Sequence, residues 1–251
     1  MIGGLQLGEI ALVALATLLA SLVSGIGGFG GGFVIAIALT PIVGVKALLP
    51  LISVFALCSN ISRFIIYRQS IEWRSAIIFS VSSAPGVVIG TNFFESASER
   101  ILLGILGVTL ISCIPVRRYF TRHSIRPGNA AFVVIGFLFG ILSGTSVGSG
   151  LFVIATLSGS GLQNKALLGT DAIIGLANSF MRVISFWSLG MLPTYLIFAG
   201  VIMGIMTLPG TLLARKAVEM MGEKVHAHLI ELLILAGGLY FLYSSITYTA
   251  A

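Results

Sequence analysis

Four polar or small residues with helical spacing lie in an otherwise apolar segment in the second half of the chain. They follow the spacing i, i+4, i+7 and i+11 and are Asp171, Gly175, Asn178 and Arg182. At about 100° per residue this spacing places all four on one helix face. Charged groups are costly in lipid, so this face is expected to contact a cavity or a partner. We expect Asp171 to pair with Arg182 or Lys165, or to carry a coupling proton.

The first half has a weaker version of this polar face, formed by Lys46, Ser53, Asn60 and Arg63. Arg63 and Arg182 each lie within two turns of the end of an apolar run, so snorkelling toward the membrane surface is their alternative role. Lys46 and Lys165 begin the runs that carry the two faces. A lysine at a helix N-terminus opposes the helix dipole, so each lysine either attracts an anion or anchors its helix at lipid headgroups.

Two segments rich in Gly and Ser interrupt the apolar sequence. They are GIGGFGGG at 25–32 and SGTSVGSG at 143–150, and each precedes a short apolar run. A backbone break at membrane depth is tolerated only where protein or a water-filled cavity surrounds it. Helices beginning near Gly32 and Gly150 would direct free N–H groups and positive dipole ends at one centre, which suits an anion. Close packing of helices through small residues is the alternative.

These features predict a binding site for a small anion, with contacts from both breaks and both polar faces. In chain order the candidates are Gly27, Gly28, Gly30, Gly31, Gly32, Lys46, Asn60, Arg63, Ser143, Thr145, Ser146, Gly148, Ser149, Gly150, Lys165, Asn178 and Arg182, with Asp171 as the coupling candidate. No catalytic residue, metal or cofactor is predicted. Cys58 and Cys113 lie singly in apolar runs and are too few for a metal cluster or a disulfide framework.

The composition predicts that the whole chain lies in a membrane. Its 251 residues are 57% hydrophobic and 9% charged, whereas soluble domains carry roughly 25% charge. The net charge of +6 does not indicate a nucleic-acid partner, because the basic residues lie singly between apolar runs instead of forming a patch. The expected partners are therefore lipid and a small anionic substrate.

The apolar runs form two related halves. The runs are 8–24, 30–44, 46–67, 75–92, 99–117, 130–145, 149–160, 166–189, 193–213 and 228–248. An offset of 119 residues aligns 24–68 with 143–187 and gives 14 identities in 45 positions. Random matching would give roughly a third as many, so we infer a duplication. The sequence predicts one transmembrane transporter domain, 1–251, with repeat halves 1–122 and 126–251.

The basic residues predict the orientation of these halves. The loops 68–74, 117–126 and 215–224 contain nine of the 14 basic residues, which places all three loops in the cytoplasm. Each half then needs an odd number of crossings. A broken, re-entrant helical hairpin plus three transmembrane helices satisfies this, so we predict an all-α polytopic membrane protein with inverted repeats and both termini outside. Eight plain spans with parallel halves are the alternative.

An enzymatic alternative rests on the motif G-x-S-x-G at 144–148, centred on Ser146. A nucleophilic serine needs a base within hydrogen-bond reach. The histidines all lie in or beside basic loops, at His123, His226 and His228. Because the repeat equivalent of Ser146 is Gly27, the break exists without the serine. An intramembrane serine hydrolase therefore stays the less favoured hypothesis.

The segments GIGGFGGGFV, GILSGTSVGSGLFVIATL and NKALLGTDA, with the two-half organisation, resemble the TauE/SafE sulfite exporter family. The resemblance covers essentially the whole chain. It implies export of sulfite, sulfoacetate or another organosulfonate across a bacterial inner membrane, by alternating access between the two hairpins. Ser146, Ser149 and Leu151 stand where glycines are common in the family, which leaves the substrate open. Import of thiosulfate or another small anion is the alternative, although Cys58 and Cys113 lack the repeat equivalents expected of a cysteine-dependent thiosulfate permease.

Overall fold

The structure is a computed structural model that describes residues 31–123, 128–206 and 223–248, together with Leu15, Thr17, Leu18 and Ala20. The described residues form helices and contain no strand, which confirms the predicted all-α class. The helices are α1 (Gly31–Val43), α2 (Val45–Tyr67), α3 (Trp73–Ser96), α4 (Glu99–His123), α5 (Asn129–Thr145), α6 (Gly150–Gly159), α7 (Asn164–Ser188), α8 (Thr194–Met206) and α9 (Glu223–Thr247). A short 3-10 turn, Arg68–Ser70, extends α2. Most of the predicted run at 8–24, the end of the run at 193–213 and most of the third basic loop, 215–224, lie outside the described residues.

Several described helices are suited to a bilayer. By length and composition, three can cross a membrane, namely α2 with its 3-10 turn, α3 and α7. Shorter apolar helical stretches of 10–17 residues occur in α1, α5, α8 and α9. Large apolar side chains remain on the outer surface, including Val81 and Trp187, each 68% exposed. Outward-facing apolar groups on this scale fit contact with lipid, and the chain is a membrane protein.

Helices α3 and α5 run parallel and pack through glycines at four-residue spacing. A Cβ added at Gly140 would lie 2.1 Å from the Ser83 carbonyl oxygen, and one at Gly86 would lie 2.2 Å from the Phe137 carbonyl oxygen. Gly144 makes a similar approach to Thr91 further along both helices. Only a residue without a side chain lets two backbones approach this closely, so the glycines determine the separation of α3 and α5.

Helices α2 and α7, which the 119-residue offset relates, run antiparallel. Arg182 bonds Leu49 near the start of α2, whereas Asp171 pairs with Arg63 near its end. Beyond that pair, Gly169 packs against Tyr67. Higher numbers on α2 therefore face lower numbers on α7 along the whole contact.

Helix α7 also packs against α3, and there the two helices are parallel. Glu72, which caps α3, donates its backbone N–H to Thr170 at 3.0 Å. At the opposite end, the rings of Phe94 and Phe186 meet with centroids 5.5 Å apart. Since α3 continues from α2 through residues 68–72, α7 begins on the side of the membrane where α2 ends.

The second predicted break is confirmed as a gap between two helices. Helix α5 ends at Thr145, residues 146–149 are irregular, and α6 begins at Gly150. Helices α1 and α2 are separated by Gly44, whose φ of 75° lies in the left-handed region that favours glycine. Helix α4 differs from prediction, because it continues past the expected end at residue 117 to His123. A helix can leave the apolar layer without ending, and arginine is a good helix former.

Two apolar clusters pack the described helices together. The larger cluster joins α1, α2 and α4 and includes Ile35, Leu48 and Leu106. The smaller cluster joins α3, α5, α6 and α7 around Phe79 and Leu157. The region between the clusters contains the polar faces predicted from the sequence.

Candidate functional site

A cavity of about 150 Å³ lies between the central parts of α2 and α7. The first described residues of α1, the beginning of α6 and the break before α6 line its other sides. The lining residues are Gly31, Gly32, Phe33, Ile52, Phe55, Ala56, Ser59, Asn60, Arg63, Phe139, Ser143, Val147, Gly148, Ser149, Gly150, Asp171, Gly175, Asn178, Ser179 and Arg182. Since a water molecule takes up about 30 Å³ in the liquid, the space admits a small ion with few waters.

Arg182 contributes a buried positive charge to this cavity. Its side chain is 6% exposed, so it does not snorkel to the membrane surface. One guanidinium nitrogen, Nη2, donates to the Leu49 carbonyl oxygen at 3.3 Å, while Nε has no hydrogen-bond acceptor. In the described part of the chain, no carboxylate lies within ion-pair distance of Arg182. A buried guanidinium without a counter-charge is costly, and an anion in the cavity would relieve that cost.

Asn178 offers a second donor one turn before Arg182 on the same face of α7. The Ser143 hydroxyl donates to Oδ1 of Asn178, which orients the amide. The amide nitrogen, Nδ2, is buried and has no hydrogen-bond partner in the structure. Burying an N–H donor without an acceptor is unfavourable. Both orphaned donors belong to residues that line the cavity, and a ligand with acceptor oxygens would satisfy them.

The opposite end of the cavity contains an ion pair between the two helices. Nη2 of Arg63 lies 2.5 Å from Oδ2 of Asp171. The expectation that Asp171 pairs with Arg182 or Lys165 is wrong. Antiparallel packing places Arg63 beside Asp171, whereas Arg182 lies three turns further along α7.

A hydrogen-bond chain continues from this ion pair across the cavity. Nη1 of Arg63 donates to Oδ1 of Asn60 at 3.3 Å, and Nδ2 of Asn60 donates to the Ser179 hydroxyl at 3.5 Å. Gly175 leaves the space for this contact, since a Cβ there would lie 2.8 Å from Asn60 Nδ2. The predicted polar faces of α2 and α7 therefore meet each other in the cavity wall.

The break before α6 presents backbone to the cavity. Gly148 has a φ of 92°, and a Cβ at this position would lie 1.8 Å from Cε1 of Phe33. Glycine is thus required by both the backbone conformation and the close approach. Ser149 and Gly150 begin α6 at the cavity, so the positive end of the helix dipole and its first N–H groups are directed there. Gly31 and Gly32, the first described residues of α1, line the same cavity.

The structure brings ten of the predicted site residues to the cavity, together with the coupling candidate Asp171. The ten are Gly31, Gly32, Asn60, Arg63, Ser143, Gly148, Ser149, Gly150, Asn178 and Arg182. Gly27, Gly28 and Gly30 lie outside the described residues.

Four other predicted residues do not line the cavity. The Thr145 hydroxyl donates to Ile141 and Leu142 carbonyls, and the Ser146 hydroxyl donates to the Val147 carbonyl. Nζ of Lys46 donates to the carbonyl oxygens of Phe94 and Glu95, at 2.9 and 2.6 Å, beside the end of α3. Lys165 is exposed at the start of α7.

Sequence reasoning missed several lining residues. Ser59 and Ser179 are the repeat equivalents of Asn178 and Asn60 at the 119-residue offset, so the duplication could have identified them. The apolar wall, which includes Phe55 and Phe139, gave no comparable signal. Aromatic residues in an apolar chain are too common for any one of them to indicate a cavity.

Comparison with protein families assigns the chain. The model of the sulfite exporter TauE/SafE family matches residues 13–241 of the 251. The chain belongs to the TauE/SafE family. This confirms the resemblance and identifies the chain as a member of a family of membrane transporters rather than enzymes. No significant match was found among curated proteins or among solved structures.

Proposed function

We propose that this TauE/SafE protein exports a small sulfur-containing oxyanion, such as sulfite or an organosulfonate, across a bacterial inner membrane. The observation that carries the proposal is Arg182, a buried cation whose Nε lacks an acceptor among the described residues and which lines the cavity beside the start of α6. The family supplies the chemical class of the cargo.

The donors at the cavity match the acceptors of a sulfur oxyanion. Sulfite and sulfonate groups each carry three oxygens, arranged as a pyramid around sulfur. The Arg182 guanidinium and the Asn178 amide would donate to two of these oxygens, and charge-assisted bonds of this kind are stronger than neutral ones. The Ser149 hydroxyl and the first N–H groups of α6 would serve the remaining oxygen.

Alternating access between two inverted repeats is the proposed mechanism. Its support is the antiparallel contact of the equivalent helices α2 and α7, since repeats in parallel orientation would bring equivalent helices together in parallel. In many transporters with inverted repeats, broken helices meet at a site near the membrane midplane. Here the cavity lies about halfway along α2 and α7, where motion of one hairpin against the other would change its access.

Outward movement of an anion needs no coupling ion. A membrane potential that is negative inside favours export by roughly 2.3 kcal/mol per charge for each 100 mV. Because Asp171 is engaged with Arg63, the proposal assigns it no role as a proton carrier. The orphaned donors of Arg182 and Asn178 favour anion binding. Hydrolysis by Ser146 is disfavoured because its hydroxyl is buried and donates to the Val147 carbonyl oxygen.

Counterflow in proteoliposomes tests the proposal. Vesicles loaded with unlabelled methanesulfonate or sulfite should accumulate the labelled anion when the wild-type protein is present. Arg182→Gln should abolish this exchange while the protein stays folded. The matched control is Arg68→Gln, which removes an exposed arginine from the turn after α2 and should leave exchange unchanged.

Two outcomes would contradict the proposal. One is absence of exchange for every sulfur oxyanion tested with folded wild-type protein. The other is full activity of Arg182→Gln, because the site would then lie elsewhere. Loss of exchange in both arginine variants would indicate a general need for positive charge instead of a role for this cavity.

A further inference from the structure

The described ionisable side chains that line the cavity leave a single uncompensated charge. They are Arg63, Asp171 and Arg182. Arg63 and Asp171 neutralise each other at 2.5 Å, while among the described residues Arg182 has only the Leu49 carbonyl oxygen for a partner. The cavity therefore offers one positive charge to a ligand, although two arginines line it.

We propose that the cavity selects oxyanions carrying one negative charge, and that Asp171 sets this selectivity by neutralising Arg63. The inference rests on the proposed function and narrows its substrate class. Hydrogen sulfite and simple alkyl sulfonates fit, because each bears one charge. Sulfate fits poorly, and so does sulfoacetate, whose carboxylate adds a second charge to the sulfonate.

The physical reason is the cost of net charge in a buried site. A monoanion beside Arg182 leaves the cavity neutral. A dianion would leave one negative charge uncompensated, away from water and between apolar walls, where charge burial is expensive. Arg63 could offset that charge only by leaving Asp171, which would leave a buried carboxylate without its partner.

The two arginines of the site have equivalent positions in the two halves, but Asp171 has no acidic equivalent. Arg63 and Arg182 are equivalent at the 119-residue offset, whereas the equivalent of Asp171 is Ile52. Ile52 also lines the cavity, so the same place in the wall is acidic in one half and apolar in the other. Two arginines follow from the repeat, and the single carboxylate reduces their combined charge from two to one.

Competition in the counterflow assay tests this inference with methanesulfonate, a monoanion, and sulfate, a dianion of similar size. For the wild-type protein, methanesulfonate should inhibit exchange at a concentration at least about ten-fold lower than sulfate, because net charge burial opposes the dianion. Asp171→Asn raises the cavity charge to two and should reduce or reverse that ratio by at least about ten-fold.

Two further variants separate charge from structural damage. The double variant Arg63→Gln with Asp171→Asn returns the cavity to one positive charge and should restore the wild-type ratio. Glu72→Gln changes a carboxylate to an amide outside the cavity and should leave the ratio unaltered. If Asp171→Asn does not fold, the wild-type ratio and the double variant still decide the question.

The failures of the two proposals can be distinguished. Two results would overturn the charge selectivity alone while exchange continues. One is equal preference of the wild type for both anions, and the other is an unchanged preference ratio in Asp171→Asn. A double variant that behaves like Asp171→Asn also overturns it. Absence of exchange for either anion in the wild type overturns the proposed function, and this inference with it.

Discussion

Asn60 and Ser179 are equivalent positions in the two halves, and the Asn60 amide donates to the Ser179 hydroxyl at 3.5 Å. Their separation of 119 residues is the offset that aligns the repeats. The proposed inverted repeat accounts for this contact, because equivalent positions of such a repeat meet beside the axis that relates its halves. The cavity lies at this contact, so each half contributes one arginine to it and neither half contains the site alone.

The orientation of the halves predicts which loops share a side of the membrane. With a re-entrant α5–α6 hairpin, Gln163 lies on the cytoplasmic side with Gln69, while Ser98 and Thr194 lie outside. All four residues are exposed. Single cysteines at these positions, in a cysteine-free background, should react with an impermeant maleimide accordingly, from inside for the first pair and from outside for the second. Labelling of position 163 from the outside would instead support plain spans.

The glycine contact between α3 and α5 predicts a strong effect of one methyl group. Gly140→Ala would place a Cβ 2.1 Å from the Ser83 carbonyl oxygen, and the helices would have to separate. Overpacking of this kind lowers the free energy of unfolding by about 1–3 kcal/mol. Thermal unfolding in detergent measures the change. Gly128→Ala is the control, because no atom lies within 4 Å of a Cβ there, and a loss of equal size in both variants would refute the explanation.

Lys46 is predicted to matter for stability more than for transport. Its ammonium group binds the carbonyl oxygens of Phe94 and Glu95 near the C-terminus of α3, where a cation is favourable. Lys46→Met should reduce the free energy of unfolding by about 1.5–3 kcal/mol for lost charged hydrogen bonds. The exchange rate per folded molecule should stay near the wild-type value, and the exposed Lys165 supplies the control, Lys165→Met. A raised KM in Lys46→Met with unchanged stability would favour the role of anion attractor.

Glu72 should make part of the stability depend on pH. Burial opposes ionisation, but hydrogen bonds from Ser75 and Arg74 and the charge of Arg74 outweigh it and lower the pKa of Glu72. Because the pKa of Glu72 is lower in the folded state, the carboxylate stabilises the fold at pH values above its unfolded-state pKa of about 4.3. This stabilisation is lost as the pH falls through the folded-state pKa. At neutral pH, Glu72→Gln keeps a hydrogen-bond acceptor but removes the charge, so it should cost about 0.3–1 kcal/mol, as expected for a carboxylate near a helix N-terminus.

Unfolding curves at several pH values measure this contribution. The free energies of unfolding of the wild type and Glu72→Gln should differ at pH 7 and converge in acid. Once Glu72 is protonated, its carboxyl group is neutral like the Gln amide and no longer offers a negative charge to the Ser75 N–H. A difference that stays constant down to low pH would contradict the capping role of the carboxylate.

Local patterns predicted much of the fold and part of the site. The start of α6 at Gly150 follows from a Gly/Ser run ahead of an apolar one, and the shared face of Asp171, Asn178 and Arg182 follows from helical spacing. Both depend on residues close together in the chain. The partner of Asp171 depends on the alignment of α2 against α7, which no local pattern encodes. The sequence therefore named Arg63 as a site residue but not as the partner of Asp171.

Competition from backbone groups explains the remaining differences. The hydroxyls of Thr145 and Ser146 were expected to donate to an anion, but each donates to a backbone carbonyl beside the end of α5. Ser and Thr hydroxyls readily donate to backbone carbonyls nearby in the same segment, including those three or four residues earlier in a helix. Lys46 behaves similarly toward α3, across a separation of 48 residues to Phe94.

The most extensive contacts among the described helices all join one half of the chain to the other. They are α3 with α5, α4 with α9, α2 with α7, α3 with α7, and α4 with α6. Neither half of the chain is thus a unit of folding by itself, because its main packing surfaces contact the other half. Either half without the other would leave those surfaces without the helices that cover them.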